Sequence, residues 1–175
     1  MFLSRIKLFL VISISLIFFS LSNIEVVSGE IKSISGIAEV IDGDTIKIKK
    51  KKIRLFGIDA PEKKQKCKKP WLTISFMTFN KDYPCGEIST LKLKKKNNNK
   101  FITCKSTNKD RYKRFIAECF KGKTNINAWM VRYGYAVAYR KYSKKYVAHE
   151  DIAKKDKLGL WSGTFEMPWD YRKKN

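Results

Sequence analysis

Four carboxylates and one arginine stand close together in the segment Val40–Glu62, VIDGDTIKIKKKKIRLFGIDAPE. Asp42 and Asp44 flank Gly43 at the end of an apolar-alternating run. Asp59 and, after Pro61, Glu62 end a second run, Ile53–Ile58. The chain holds only 16 Asp+Glu against 38 Lys+Arg, so four of the 16 in this one segment form a concentration that composition does not explain. Each lies at or just beyond the end of an expected strand, where a rigid frame presents functional side chains. Such an oxygen cluster suits a hard divalent cation, Ca²⁺ or Mg²⁺. Arg54, on the strand face of Phe56 and Ile58, sets a fixed positive charge beside it. Asp-Gly alone signals a hairpin turn, and one carboxylate after a strand is ordinary. D-G-D-T followed by R-x-x-x-x-D-x-P-E exceeds what a turn requires.

The elements that must position these residues are short. Ile34–Asp42, Thr45–Lys49 and Ile53–Ile58 read as strands joined by the Asp-Gly turn and by a lysine-rich hairpin at Lys50–Lys52, a solvated turn that resists edge pairing. Residues 63–84 carry Pro70, Pro84 and several aromatics without a period, which reads as a long loop. A helix is expected from Gly86 to about Lys96 with Ile88, Leu91 and Leu93 inward. Lys100–Lys105 and Arg114–Phe120 are two further strands, with a basic turn, Asn108–Arg114, between them. Asn125 caps a helix bearing Ile126, Trp129, Met130 and Tyr133, stopped by Gly134. A last helix is expected over about Lys145–Lys157. The aromatic and basic tail, residues 164–175, receives no element. Five strands with about three helices give an α+β chain built on a small Greek-key barrel.

The length of 175 residues suits one domain with a proper core. A net charge of +22 attracts polyanions, either nucleic acid or an anionic membrane surface. Residues 1–29 read as a removable signal peptide: Arg5 and Lys7 precede an apolar run, Leu8–Leu21, too short for a comfortable span. The expectation is an exported protein, periplasmic or secreted, and a membrane-tethered one only if that segment stays uncleaved. All four cysteines follow it. An even count in an exported chain reads as two disulfides. Of three pairings, Cys67–Cys85 and Cys104–Cys119 are favoured, because the first pair brackets the loop and the second lies on consecutive strands. Zinc is the alternative, disfavoured by the absence of C-x₂-C spacing and by the single histidine.

The motif pair resembles the staphylococcal-type thermonuclease family, and the resemblance runs from about Ile34 to Ser162. It implies an OB-fold barrel, over residues 30–163, and a Ca²⁺-dependent endonuclease acting on DNA, RNA or both; no protein partner is implied, and a monomer is expected. It further implies Asp44, Asp59 and the backbone carbonyl of Ala60 as metal ligands, Glu62 as general base, and Arg54 and Arg114 as the phosphate clamp. Asp110-x-Tyr112-x-Arg114 matches the second arginine motif, and Arg111, Tyr112 and Tyr139 would contact the nucleotide. Asn127, Gly134, His149-Glu150 and Trp161 match as scaffold. Ala60 stands where the family has threonine. Lys113 stands where it has glycine, so a positive φ there would strain the loop that carries Arg114.

Two other classes compete. A catalytically silent OB module could bind nucleic acid by charge and aromatics, but binding alone has no need of an acidic cluster in a polyanion groove. A membrane- or cell-wall-binding protein could use the same charge. One histidine excludes mechanisms that need a catalytic pair. His149, on the face of Ile152 and Ala153, reads as a core-edge residue.

Overall fold

The computed structural model describes residues 32–174; the expected signal segment lies outside them. Strand β1 (Lys32–Val40) buries Ile34, Gly36, Ala38 and Val40 in strict alternation, the period-2 pattern of a half-buried strand. The turn at Asp42–Asp44 reverses the chain into β2 (Thr45–Ile48), and a second turn at Lys49 and Lys50 leads into β3 (Lys51–Leu55). Strands β7 (Phe101–Lys109) and β8 (Phe115–Lys121) complete the order β3-β2-β1-β7-β8. Parallel pairing of β3 with β8, Ile53 opposite Phe115 and Leu55 opposite Ala117, closes the barrel. The chain is therefore an α+β, five-stranded OB-fold barrel, and closure removes the strand edges. A short β9 (Thr124–Asn125) extends β8 at its far side.

Ile34, Ile46, Ile48, Ile53, Leu55 and Ile102 fill the barrel and Leu93, Met130 and Val131 plug it from two helices. These are α1 (Cys85–Asn97) and α2 (Ile126–Arg132). Asn125 caps α2, its side-chain oxygen accepting the Ala128 N–H at 3.0 Å. Asn127, fully buried, ties the end of β3 to β8. Its amide donates to the carbonyls of Phe56 at 2.9 Å and Ala117 at 3.1 Å, and its oxygen accepts the Cys119 N–H at 3.1 Å. Helix α3 (Val147–Lys155) buries Glu150, which accepts the Ala138 N–H at 3.0 Å and so fixes β10 (Val137–Ala138). Cys104 and Cys119 are register partners bridged by a disulfide, and Cys67–Cys85 is the second.

Several expectations need correction. The third strand ends at Leu55. Gly57, at φ 73°, turns the chain, and Ile58–Asp59 forms a separate β4 paired with β10. The expected loop over 63–84 instead contains a hairpin, β5 (Cys67–Ile74) and β6 (Met77–Tyr83). Its residues are exposed on both faces and a bulge interrupts it at Trp71, so no buried face imprints a period on the sequence. In α1 Leu93 is buried but Leu91 is exposed. The tail, to which the sequence assigns no element, forms a fourth helix, α4 (Pro168–Lys174), after a 3₁₀ turn at Gly159–Ser162. Pro168 sits at its start, where a missing N–H costs nothing.

Candidate active site

Asp44 enters the site because the Asp42–Asp44 turn is locked locally. The Asp44 N–H donates to Asp42 Oδ1 at 3.0 Å, and the Asp44 carbonyl accepts the Leu55 N–H at 2.8 Å. Its carboxylate is buried, accepting the Ala60 N–H at 2.8 Å and the Thr45 hydroxyl at 3.1 Å. Asp59, on β4, is wholly buried. The Arg54 guanidinium bridges the two carboxylates, pairing with Asp44 and donating to Asp59 Oδ1 at 2.7 Å. Arg54 sits between inward Ile53 and Leu55, so strand alternation turns it out of the barrel and toward the acids. Burial lowers its pKa and Asp59 opposes that shift; guanidinium starts so high that it stays charged. Burial raises the pKa of the neighbouring Asp42, against the pull of Arg54.

Arg114 arrives from the start of β8. Asp110 holds it: the Asp110 carboxylate accepts the Arg114 N–H at 2.9 Å and Nε at 2.8 Å. The guanidinium then reaches the Thr45 hydroxyl at 3.5 Å. Lys113 does adopt positive φ, 62°, as expected from the glycine it replaces, yet Arg114 faces the acidic cluster. Tyr112 is exposed, its hydroxyl accepting from Arg111 at 2.7 Å, with the guanidinium groups of Arg111 and Arg114 at 4.8 and 5.4 Å from its ring. These three form one basic and aromatic edge.

Glu62 is half exposed; its N–H donates to Gln65 Oε1 at 3.1 Å. Tyr139 donates its N–H to the Gly57 carbonyl at 2.9 Å, and burial followed by Asp59 raises its phenol pKa. His149 is half buried with its ring 6.3 Å from that of Tyr146. The structure thus brings Asp44, Asp59, Ala60, Arg54, Arg114 and Glu62 together. Tyr112 and Arg111 form one flank and Tyr139 another. Cys67–Cys85 lies behind the Glu62 loop, and Cys104–Cys119 is remote in the barrel wall.

Arg172 of α4 is the residue that sequence reasoning missed. Its Nη1 donates to Asp59 Oδ1 at 3.1 Å and Glu62 Oε1 at 2.8 Å, and its Nη2 to Asp59 Oδ2 at 2.7 Å. Burial pulls its pKa down, but the Asp59 and Glu62 hydrogen bonds outweigh this and leave it raised. Trp169 of the same helix stacks on Tyr139, ring centroids 5.3 Å apart and planes 5° from parallel. The only available signal was Pro168-Trp169 opening an aromatic and basic run.

No three acidic, histidine or cysteine groups converge as a ready cation cage among the described residues. The donors nevertheless fit a hard cation in type, being buried carboxylate oxygens. The Arg172 guanidinium is a stand-in cation on Asp59 and Glu62.

A family model described as "Staphylococcal nuclease homologue" matches residues 52–163. The chain is 34% identical over 147 residues to an "Uncharacterized endonuclease" of Escherichia coli O157:H7, covering 78% of this chain and 84% of that protein. It is 33% identical over 143 residues to "Succinoglycan biosynthesis protein ExoI" of Rhizobium meliloti (strain 1021), covering 77% and 68%. It is 30% identical over 156 residues to a "Micrococcal nuclease" of Shigella flexneri, covering 78% and 79%.

Proposed function

The chain belongs to the family of staphylococcal nuclease homologues and is a hydrolytic nuclease acting on nucleic acid, and from that premise we propose an exported, Ca²⁺-dependent endonuclease. It cuts phosphodiester bonds of DNA, RNA or both with little base preference and acts as a monomer. The observation that carries this is the continuous polar chain Arg114–Thr45–Asp44–Arg54–Asp59, two buried carboxylates interleaved with two arginines. Asp44, Asp59 and the Ala60 carbonyl would hold Ca²⁺, which when bound supplies Lewis acidity at a phosphate oxygen.

The chain's own residues do the rest. Arg54 and Arg114 approach from two strands and face the charge that develops on the phosphoryl oxygens, each forked guanidinium matching paired oxygens. Glu62, at the solvent side, accepts a proton from the attacking water as the water oxygen bonds to phosphorus and the opposite P–O bond breaks, the leaving oxygen taking a proton from solvent. Arg111, Tyr112 and Tyr139 supply charge and aromatic faces on which bases stack without sequence readout. Export is supported by the two disulfides, which persist in oxidising compartments.

The test is cleavage of single-stranded DNA and RNA oligonucleotides by the purified chain with Ca²⁺ or with excess chelator. Internal cuts with Ca²⁺ and none with chelator are expected. Full activity in chelator would overturn the calcium assignment.

A further inference from the structure

The tail packs Phe165, Met167 and Trp169 against a small cluster of Cys67, Cys85, Val137 and Leu160, outside the barrel core. Thr164 exchanges two backbone hydrogen bonds with Lys68, both 2.9 Å, and wholly buried Gln65 donates to the Glu166 carbonyl at 2.7 Å. These contacts deliver α4 to the site. There Arg172 occupies both oxygens of Asp59 and one of Glu62, while Trp169 covers a face of Tyr139. A wholly buried carboxylate requires a partner. Arg54 satisfies Asp59 from one side only, and the tail provides the remaining positive charge. A divalent cation held by Asp59 would bring further positive charge to the same two oxygens, so the two cations compete. The proposed base, Glu62, is tied by the same guanidinium. The proposed stacking ring, Tyr139, is occupied by the same helix.

We propose that α4 is an intramolecular latch: Arg172 is a resident cation that closes the acidic site, and divalent metal displaces it, freeing Glu62 and the Tyr139 ring together. The proposal rests on the calcium reading above. By linkage, each cation weakens the other's hold by the same factor. A site whose open form is a minor fraction shows an apparent affinity reduced by that fraction. Unlike a structural clasp, a latch of this kind makes metal affinity improve when its own charge is removed.

The experiment is calorimetric titration of Ca²⁺ into the full chain without nucleic acid, for wild type, Arg172→Gln and Arg172→Lys. Arg172→Gln is expected to bind Ca²⁺ about tenfold more tightly, the gain from removing a closed form that is about nine-tenths populated. Arg172→Lys, which keeps the charge but loses the fork, should fall between and reads the effect even if the glutamine variant folds poorly. Tryptophan emission of wild type should change on Ca²⁺ addition, and Trp169→Phe should remove most of that change. Equal or weaker Ca²⁺ affinity in both Arg172 variants, or an emission change that Trp169→Phe leaves intact, overturns the latch while the calcium reading stands. No Ca²⁺ uptake by any of the proteins overturns both.

Discussion

Gly86 lies directly against the backbone of Glu62: a Cβ added at Gly86 would overlap the Glu62 carbonyl oxygen and crowd that of Lys63. The contact is fixed from both sides. Gln65 donates its N–H to the Glu62 carbonyl at 2.7 Å, and Cys85, the neighbour of Gly86, is disulfide-bonded to Cys67. The first turn of α1 therefore sets the height of the loop that presents Glu62. Gly86→Ala should move that loop, and a misplacement of about 1 Å at a reacting group can cost roughly 10²-fold. The expected result is a kcat about 100-fold down with oligonucleotide Kd little changed, because the basic surfaces that bind phosphate are elsewhere. Single-turnover rates and binding isotherms measured side by side check it; unchanged turnover would free Glu62 from this packing.

Lys113 carries a cost that the site does not need. Its φ of 62° is left-handed backbone, disfavoured for a residue with a Cβ by roughly 1–2 kcal/mol. Lys113→Gly removes that cost but loosens the unfolded chain, so a net gain of about 0.5–1 kcal/mol and a slightly higher Tm are expected. Cleavage rates should stay within about twofold, since Asp110 rather than Lys113 holds Arg114. A drop in Tm would show that the Lys113 side chain stabilises the turn.

The Asp110 clasp gives an acid-side signature. Burial alone would raise this carboxyl, but the hydrogen bonds from the Arg114 side chain and backbone outweigh it and lower its pKa. A carboxyl whose folded pKa lies below its unfolded value contributes stability above the unfolded value, about 3.9, and loses it as pH falls through the folded one. Denaturant melts of wild type and Asp110→Asn should therefore differ by a constant amount at neutral pH. The gap should close in acid below about pH 4. A gap that widened on acidification would contradict the assignment.

Much of the site was legible because its residues end strands of clear alternation. Ile53 and Leu55 inward leave Arg54 outward, and Asp44 and Asp59 follow apolar runs. The Lys113 conformation was legible from a missing glycine. Arg172 was not, because its partners Asp59 and Glu62 lie more than a hundred residues earlier and no local pattern encodes that distance. The β5–β6 hairpin was hidden for the opposite reason. With Trp71, Ile74, Phe76 and Phe79 all exposed, it has no buried face to announce itself. Leu91 was assigned inward from an apolar residue at helical spacing, yet α1 turns it to solvent. The lysines around it show how weakly amphipathic that helix is.

The arginines should separate by burial. Arg54 pairs with two buried carboxylates; Arg54→Ala leaves Asp44 without a cation while Asp59 keeps Arg172, and should cost stability of roughly 3–5 kcal/mol besides activity. Arg114 is more exposed and its partner Asp110 can rehydrate, which makes Arg114→Ala the cleaner probe of catalysis. Loss of one donor aimed at developing phosphoryl charge should lower kcat by ~10²–10³, about 3–4 kcal/mol, with a melt lowered by no more than that of Asp110→Asn. Glu62→Gln keeps the shape and removes the base, so turnover should fall at least as far while substrate still binds. Lys51, exposed at the start of β3, should act only through the general field. Lys51→Ala is expected to weaken Kd modestly, uniformly across sequences and chiefly at low salt, with kcat unchanged. The measurement is kcat, Kd and Tm for Arg54→Ala, Arg114→Ala, Glu62→Gln and Lys51→Ala under one buffer. If Lys51→Ala abolished turnover while Arg114→Ala left it intact, the loop from Asp110 to Arg114 would not deliver its arginine to the phosphate, and the clamp would have to be sought in the lysine turn instead.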